Sequence, residues 1–260
     1  MFVKFNVMKN KICHITFCIL ILLASACTKK YDDYPEPAET LTGNIKDIGS
    51  KSNLQSEAGD RGMRLVLEEL SWSSTPTPYY FFAMQDGSFR NTKIFKGNYR
   101  ISVEGPFVPL VQYDGSGQIT VDKRKTMDVA GTTNVDFEVE PFLNVEWVGE
   151  PVYNATNKTI SVQVRFTRGT ADAAFHKNVT DVFLFVSPNN YVGNNNYDNK
   201  YSVQVNYGGT SGNDQLGQTV TLTTKDVLPG SRSFFLRVGA RIDYGLKYYN
   251  YTTVKTINIP

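Results

Sequence analysis

The 260-residue chain balances 27 Lys and Arg against 25 Asp and Glu, so its charge gives no reason to expect nucleic acid or an anionic membrane surface as partner. Its three Cys and two His exclude a His-rich zinc site and a Cys–His dyad once the leader read next is removed.

At the N-terminus, Lys9 and Lys11 precede an apolar run from Ile15 to Leu23, and Ala24-Ser25-Ala26 leads into Cys27. A membrane-crossing helix needs about 20 apolar residues, and this run is about half that long. The order predicts a secretory signal over residues 1–26 ending in a lipobox, with the Cys27 thiol acylated. Ordinary cleavage after Ala26 is the alternative, and Leu23 stands four residues before the cysteine where lipoboxes carry Leu at three. Removal of Lys4, Lys9 and Lys11 leaves 27 − 3 = 24 basic residues against 25 acidic ones, a balance of −1. Cys13, Cys18 and His14 leave with the signal. No disulfide then remains possible, and His176, in a polar loop, is the one histidine left to serve a catalytic triad. Residues 27–40, broken by Pro35 and Pro37, read as a lipidated flexible tether.

From residue 41 the chain alternates with period two, and long helical-period runs are absent. Leu41 to Lys46 opens a strand, and Met63, Leu65 and Leu67 mark one face of a second. Asp86-Gly87 is a hairpin-turn dipeptide. Val135, Phe137 and Val139 close the first half. Ile160, Val162, Val164 and Phe166 alternate in the second half. Val182 to Val186 is apolar throughout, as a central strand would be. Phe234–Ile242 and Tyr248–Ile259 flank a turn at 243–247 and predict a long terminal hairpin. The expected fold is all-β, two consecutive β-sandwich domains over 41–140 and 141–260, with the boundary at Pro141.

Asp86-Gly87-Ser88-Phe89, followed by Gly97-Asn98-Tyr99, resembles the transthyretin-like, carboxypeptidase-regulatory-like sandwich. With Leu41 to Asp47, Gly62 to Leu67 and Val103-Glu104-Gly105-Pro106-Phe107, the chain is similar to a two-domain lipoprotein family of Bacteroidetes, a domain of unknown function. That family joins such a sandwich to an immunoglobulin-like C-terminal domain. The resemblance implies an outer-membrane lipoprotein, lipid-anchored at the cell surface, with SusC/SusD-like uptake proteins and a glycan as partners. It carries no residue-level site. Asp32-Asp33 is similar to the acidic tethers of surface-exposed lipoproteins of that phylum.

Candidate ligand-binding residues follow from sugar chemistry, in which aromatic rings stack on C–H faces and amides or carboxylates take the hydroxyls. The Asn-rich stretch 188–201 offers Tyr191 and Tyr197, and the terminal turn offers Asp243 and Tyr244. In an immunoglobulin-like sandwich, loops cluster at two ends, so these four are expected to share one end. Such a site predicts weak affinity, on the order of 0.1–1 mM. Trp72, beside a Ser/Thr/Pro-rich segment, is the candidate in the first domain. Tyr79 to Phe82 reads as a strand buried on both faces, and Trp147 as core. Asp114 to Gln118 fails the EF-hand pattern and reads as a turn. Adjacent Glu68 and Glu69 point to opposite faces and cannot form a glycosidase pair. No catalytic residue, metal or cofactor is expected. The expected function is non-catalytic glycan binding, with a structural or adhesion role as the alternative.

Overall fold

The computed structural model describes residues 35–260, so the signal, Asp32-Asp33 and Cys27 lie outside the described residues. The first half contributes β1 (Glu39–Asp47), β2 (Arg64–Glu69), β3 (Tyr79–Phe82), β4 (Ser88–Ile94) and β5 (Gly97–Glu104). It continues with β6 (Val111–Tyr113), β7 (Ile119–Asp122), β8 (Lys125–Val129), β9 (Thr132–Asn134) and β10 (Phe137–Val139). One sheet has the order β3-β2-β5-β8, all antiparallel. In the facing sheet β1 runs antiparallel to β4 and parallel to β9 and β10. Period-two side chains meet between the sheets: Leu41 and Ile45 from β1, Leu65 and Leu67 from β2, Ile101 and Val103 from β5. At Gly43 a Cβ would lie 1.8 Å from the Val135 carbonyl oxygen, so only glycine lets β1 approach that close.

Asp86-Gly87 does make a turn, with Gly87 at φ 79° and the Asp86 carboxylate accepting from the Ser88 N–H at 3.0 Å. It does not close a hairpin. It connects β3 of one sheet to β4 of the other. Tyr79 to Phe82 departs from expectation too: β3 is an edge strand, and Tyr79, Tyr80 and Phe82 are exposed.

The second half contributes β11 (Leu143–Trp147), β12 (Val152–Asn154), β13 (Thr159–Arg168), β14 (Val179–Ser187) and β15 (Val203–Asn206). β16 (Thr219–Thr223), β17 (Arg232–Ile242), β18 (Asn250–Tyr251) and β19 (Lys255–Ile259) complete it. β13 pairs with β11, β12 and β16 in one sheet. In the other, β17 lies between β14 and the β18–β19 segment, and β15 edges β14. Val182, Leu184 and Val186 of β14 face the core against Ile160, Val162 and Phe166, while Phe183 and Phe185 face outward. The outward phenylalanines are buried because residues 188–201 fold back over them. Tyr197 stacks edge-on against both rings at 5.1 and 5.5 Å.

β14 pairs Val179 with Ile242 at one end and Ser187 with Phe235 at the other. The terminal turn therefore leaves one end of the strand and the Asn-rich loop the opposite end, about 27 Å apart at 3.4 Å per residue. The four expected site residues do not share an end of the sandwich.

Candidate functional site: a cleft between the two sandwiches

Alternation on β2 puts Arg64, Val66 and Glu68 on the outer face of the first sheet. The register places Arg64 between Phe82 and Glu104, Val66 between Tyr80 and Ser102, and Glu68 beside Arg100. Arg64 Nε donates to Glu104 Oε2 at 2.6 Å, and its guanidinium lies 4.5 Å from the Tyr80 ring centroid. Glu68 accepts two bonds from Arg100, at 2.8 and 2.9 Å, and a third from Arg124 at 3.1 Å. Arg124 also grips Asp122 through Nε and Nη2 at 2.8 and 2.6 Å. The hydrogen bond from Arg124 holds the Asp122 carboxyl down at about 2, and that from Arg100 holds Glu68 below its ordinary value. Both carboxylates stay ionised at neutral pH and act as fixed acceptors, not as proton donors.

This face floors a cleft of about 410 Å³, within the ~300–1,000 Å³ range of small-molecule sites. One wall is the β6–β7 hairpin, whose Tyr113 is 62% exposed. The other wall comes from the second sandwich, through the turn Tyr244 to Tyr248. Tyr244 is wedged edge-on between Phe142 and Phe175, with ring centroids 5.2 and 5.3 Å away, which fixes the base of the turn. Gly245 and Lys247 adopt φ of 53° and 54°, and the tip leaves Leu246 72% exposed. Lys247 pairs with Asp243 at 2.7 Å, and Tyr248 donates to the Asp60 carbonyl at 3.1 Å.

The walls are held in place by polar contacts across the junction. Arg237, fully buried on β17, donates to Ser56 O at 2.6 Å and Gln85 O at 3.3 Å in the first sandwich, and to Thr252 O at 2.9 Å in its own. Its guanidinium stacks over Tyr251 at 4.3 Å. Burial lowers its pKa to about 10, which still leaves it charged at neutral pH. Buried Glu57 accepts from the Tyr251 hydroxyl at 2.7 Å and from the Asn194 N–H. Asn250 donates to Pro106 O at 2.9 Å and accepts from the Leu143 N–H at 3.1 Å.

Of the sequence-derived candidates, Tyr244 lines the cleft and Asp243 braces it from behind. Tyr197 is packing. Tyr191 is exposed on the Asn-rich loop, away from the cleft, and Trp72 is exposed in the β2–β3 connection without lining it. The loop's amides serve the junction: Asn195 donates to Ala58 O and Asp60 Oδ1, and Val192 O accepts from Gln85. Trp147 is half-buried against the second core, its indole N–H donating to Thr253 O at 3.0 Å. The His176 ring lies 2.9 Å from Thr170 O, and the Asp114 carboxylate is taken up by its own turn through Ser116 and Gln118. Among the described residues, no group of three or more His, Cys, Asp or Glu could hold a metal. Sequence reasoning missed Tyr80, Tyr113, Arg64, Glu104 and Arg124. The alternation of β2 was a visible signal for Arg64 alone; Tyr80 and Glu104 join it only through cross-strand register, and Tyr113 and Arg124 through the β6–β7 hairpin and the residues that follow it.

Two joined β-sandwiches with a tyrosine-walled cleft at their junction define the class: an all-β, two-domain protein. The chain belongs to the DUF3823 family. A protein of unknown function (DUF3823) N-terminal domain matches residues 39–140, and a domain of unknown function (DUF3823_C) matches residues 147–256. A DUF3823 family protein from Bacteroides uniformis is 38% identical, with a TM-score of 0.81 over 86% of this chain and 100% of that one. A second Bacteroides uniformis protein, described as "a putative carbohydrate binding protein", is 20% identical with a TM-score of 0.65 over 86% of this chain and 100% of its own. A DUF3823 family protein from Parabacteroides merdae shares the fold at 20% identity and a TM-score of 0.63, over 87% of this chain and 100% of that one. No curated protein matches the chain.

Proposed function

We propose that this protein is a non-catalytic glycan-binding lipoprotein, anchored through Cys27 on the outer face of the outer membrane and serving a SusC/SusD-type polysaccharide uptake complex. The observation that carries the reading is the cleft. Tyr80, Tyr113 and Leu246 offer exposed apolar faces beside ion-paired Arg64, Glu104, Glu68 and Arg124. A sugar needs that combination, with C–H faces against rings and hydroxyls against planar polar groups. The paired carboxylates and guanidinia are held by one another, so the site is built before a ligand arrives. The carbohydrate-binding description of a relative with the same fold supports the same reading, and the signal-like order of residues 1–26 ahead of Cys27 supports the location.

A glycan array probed with the detergent-solubilised full chain tests the reading. Binding is expected in the 0.1–1 mM range, roughly. Tyr80→Ala and Tyr113→Ala should each weaken it about two- to twelvefold, the loss of ~0.5–1.5 kcal/mol of ring contact. Unchanged affinity in both folded variants would place any sugar elsewhere.

A further inference from the structure

We infer that the junction cleft selects neutral glycans and discriminates against uronate-bearing and sulfated ones; this rests on the glycan-binding reading above. Each charged side chain that lines the cleft already has an opposite charge within hydrogen-bonding distance. Arg64 meets Glu104 at 2.6 Å, Glu68 meets Arg100 at 2.8 Å and Arg124 at 3.1 Å, and Lys247 meets Asp243 at 2.7 Å. Arg124 meets Asp122 at 2.6 Å. The network holds four cations (Arg64, Arg100, Arg124, Lys247) and four carboxylates (Glu68, Glu104, Asp122, Asp243), a net charge of zero.

What remains is hydrogen-bonding capacity of both signs. Arg64 uses one N–H of about five on Glu104, and Glu104 keeps most of its about four lone-pair positions. Each sugar hydroxyl both donates and accepts, so it can use a free N–H and a free carboxylate oxygen together. A ligand carboxylate or sulfate only accepts. It could take a free N–H of Arg64 or Arg124 only by lying against Glu104 or Glu68, whose negative charge already occupies the other side of each guanidinium. Without residues 1–26 the chain carries 24 basic against 25 acidic residues, a balance that adds no long-range attraction for a polyanion.

Affinity electrophoresis and calorimetry of the full chain in detergent test this, with neutral probes (glucan, xylan, galactomannan, galactan, fructan) against charged ones (polygalacturonate, alginate, chondroitin sulfate). The expected result is retention by at least one neutral probe, about tenfold or more over every charged one, weakened in Tyr80→Ala and insensitive to salt. Glu104→Gln, which leaves Arg64 without its counter-charge, should raise polygalacturonate binding at least about fivefold at low salt in folded protein. Preference for a charged probe overturns the neutral-glycan inference and leaves glycan binding standing. Retention by no probe overturns both. A Glu104→Gln variant that still ignores polygalacturonate overturns the charge-pairing argument alone.

Discussion

Replacing Arg237 by alanine tests whether the two sandwiches form one mechanical unit. The guanidinium is fully buried, and two of its bonds reach across the junction, to Ser56 O at 2.6 Å and Gln85 O at 3.3 Å, while a third holds Thr252 O of its own sandwich at 2.9 Å. A hydrogen bond from a charged donor contributes about 1.5–3 kcal/mol. Two of them, less the desolvation cost that the guanidinium no longer bears, make the net loss about 3–4 kcal/mol. At about 2–4 °C per kcal/mol for a domain pair of this size, the melting temperature should fall by roughly 6–16 °C. Because the bonds join different sandwiches, the calorimetric transition should also broaden or split as the halves begin to unfold separately. Differential scanning calorimetry of the full chain with urea titration measures both effects. A single transition displaced by less than about 2 °C would mean that the junction is held by apolar packing and that Arg237 is incidental.

Three further outcomes follow from particular residues. Gly43→Ala drives a Cβ into the Val135 carbonyl, 1.8 Å away, and should cost at least about 3 kcal/mol by urea denaturation; a near-neutral result would mean that β1 can move aside freely. The depressed pKa of Asp122, about 2 against an ordinary 3.8, gives stability that is present above about pH 4 and lost as pH falls toward 2. Glu68 is lowered in the same direction, so the Asp122→Asn and Glu68→Gln stability curves should be flatter than the parent between about pH 4 and 2; overlaid curves would dismiss the network as a source of stability. Cys27→Ala should abolish labelling by a fatty-acid analogue and release the protein from membranes, and persistent labelling would refute the anchor.

Period-two strands were legible where one face is dry and the other wet. Ile160, Val162 and Val164 alternate because Ser161 and Gln163 between them are more exposed, and Leu65 and Leu67 alternate with Val66, which is buried on the opposite face beneath the cleft. β14 was legible for the opposite reason, since both of its faces are covered. What the sequence hid are features set by partners far along the chain. Tyr79 to Phe82 is apolar enough for a central strand, but composition does not say whether a strand lies on each side, and β3 has only β2. Asp86-Gly87 announces a turn, yet the sheet that each flanking strand joins depends on β2 and β1. The Asn-rich loop reads as solvated, but its contacts are with Glu57, Ala58, Asp60 and Gln85, more than a hundred residues earlier. Arg237, set between Leu236 and Val238 inside the otherwise apolar run Phe234 to Ala240, was the one local sign that something polar had to be met inside.

These placements explain why the candidate site belongs to the junction and not to the loops that composition favours. An amide is available to a ligand only if the fold has not already used it, and burial of Phe183 and Phe185 requires loop 188–201 to lie flat over the sheet. Once it lies there, its amides meet the first sandwich and become part of the clamp. The turn Tyr244 to Tyr248 is freed by the same arrangement, because Tyr244 fills the space between Phe142 and Phe175 and props Leu246 outward. Facing it, β3 is an edge strand and β6–β7 a two-stranded hairpin, so Tyr80 and Tyr113 have no further layer to cover them. Exposed rings on both sides of a fixed gap are thus a consequence of how the two cores are closed and joined, and a ligand entering there meets a surface whose polar groups are already ordered.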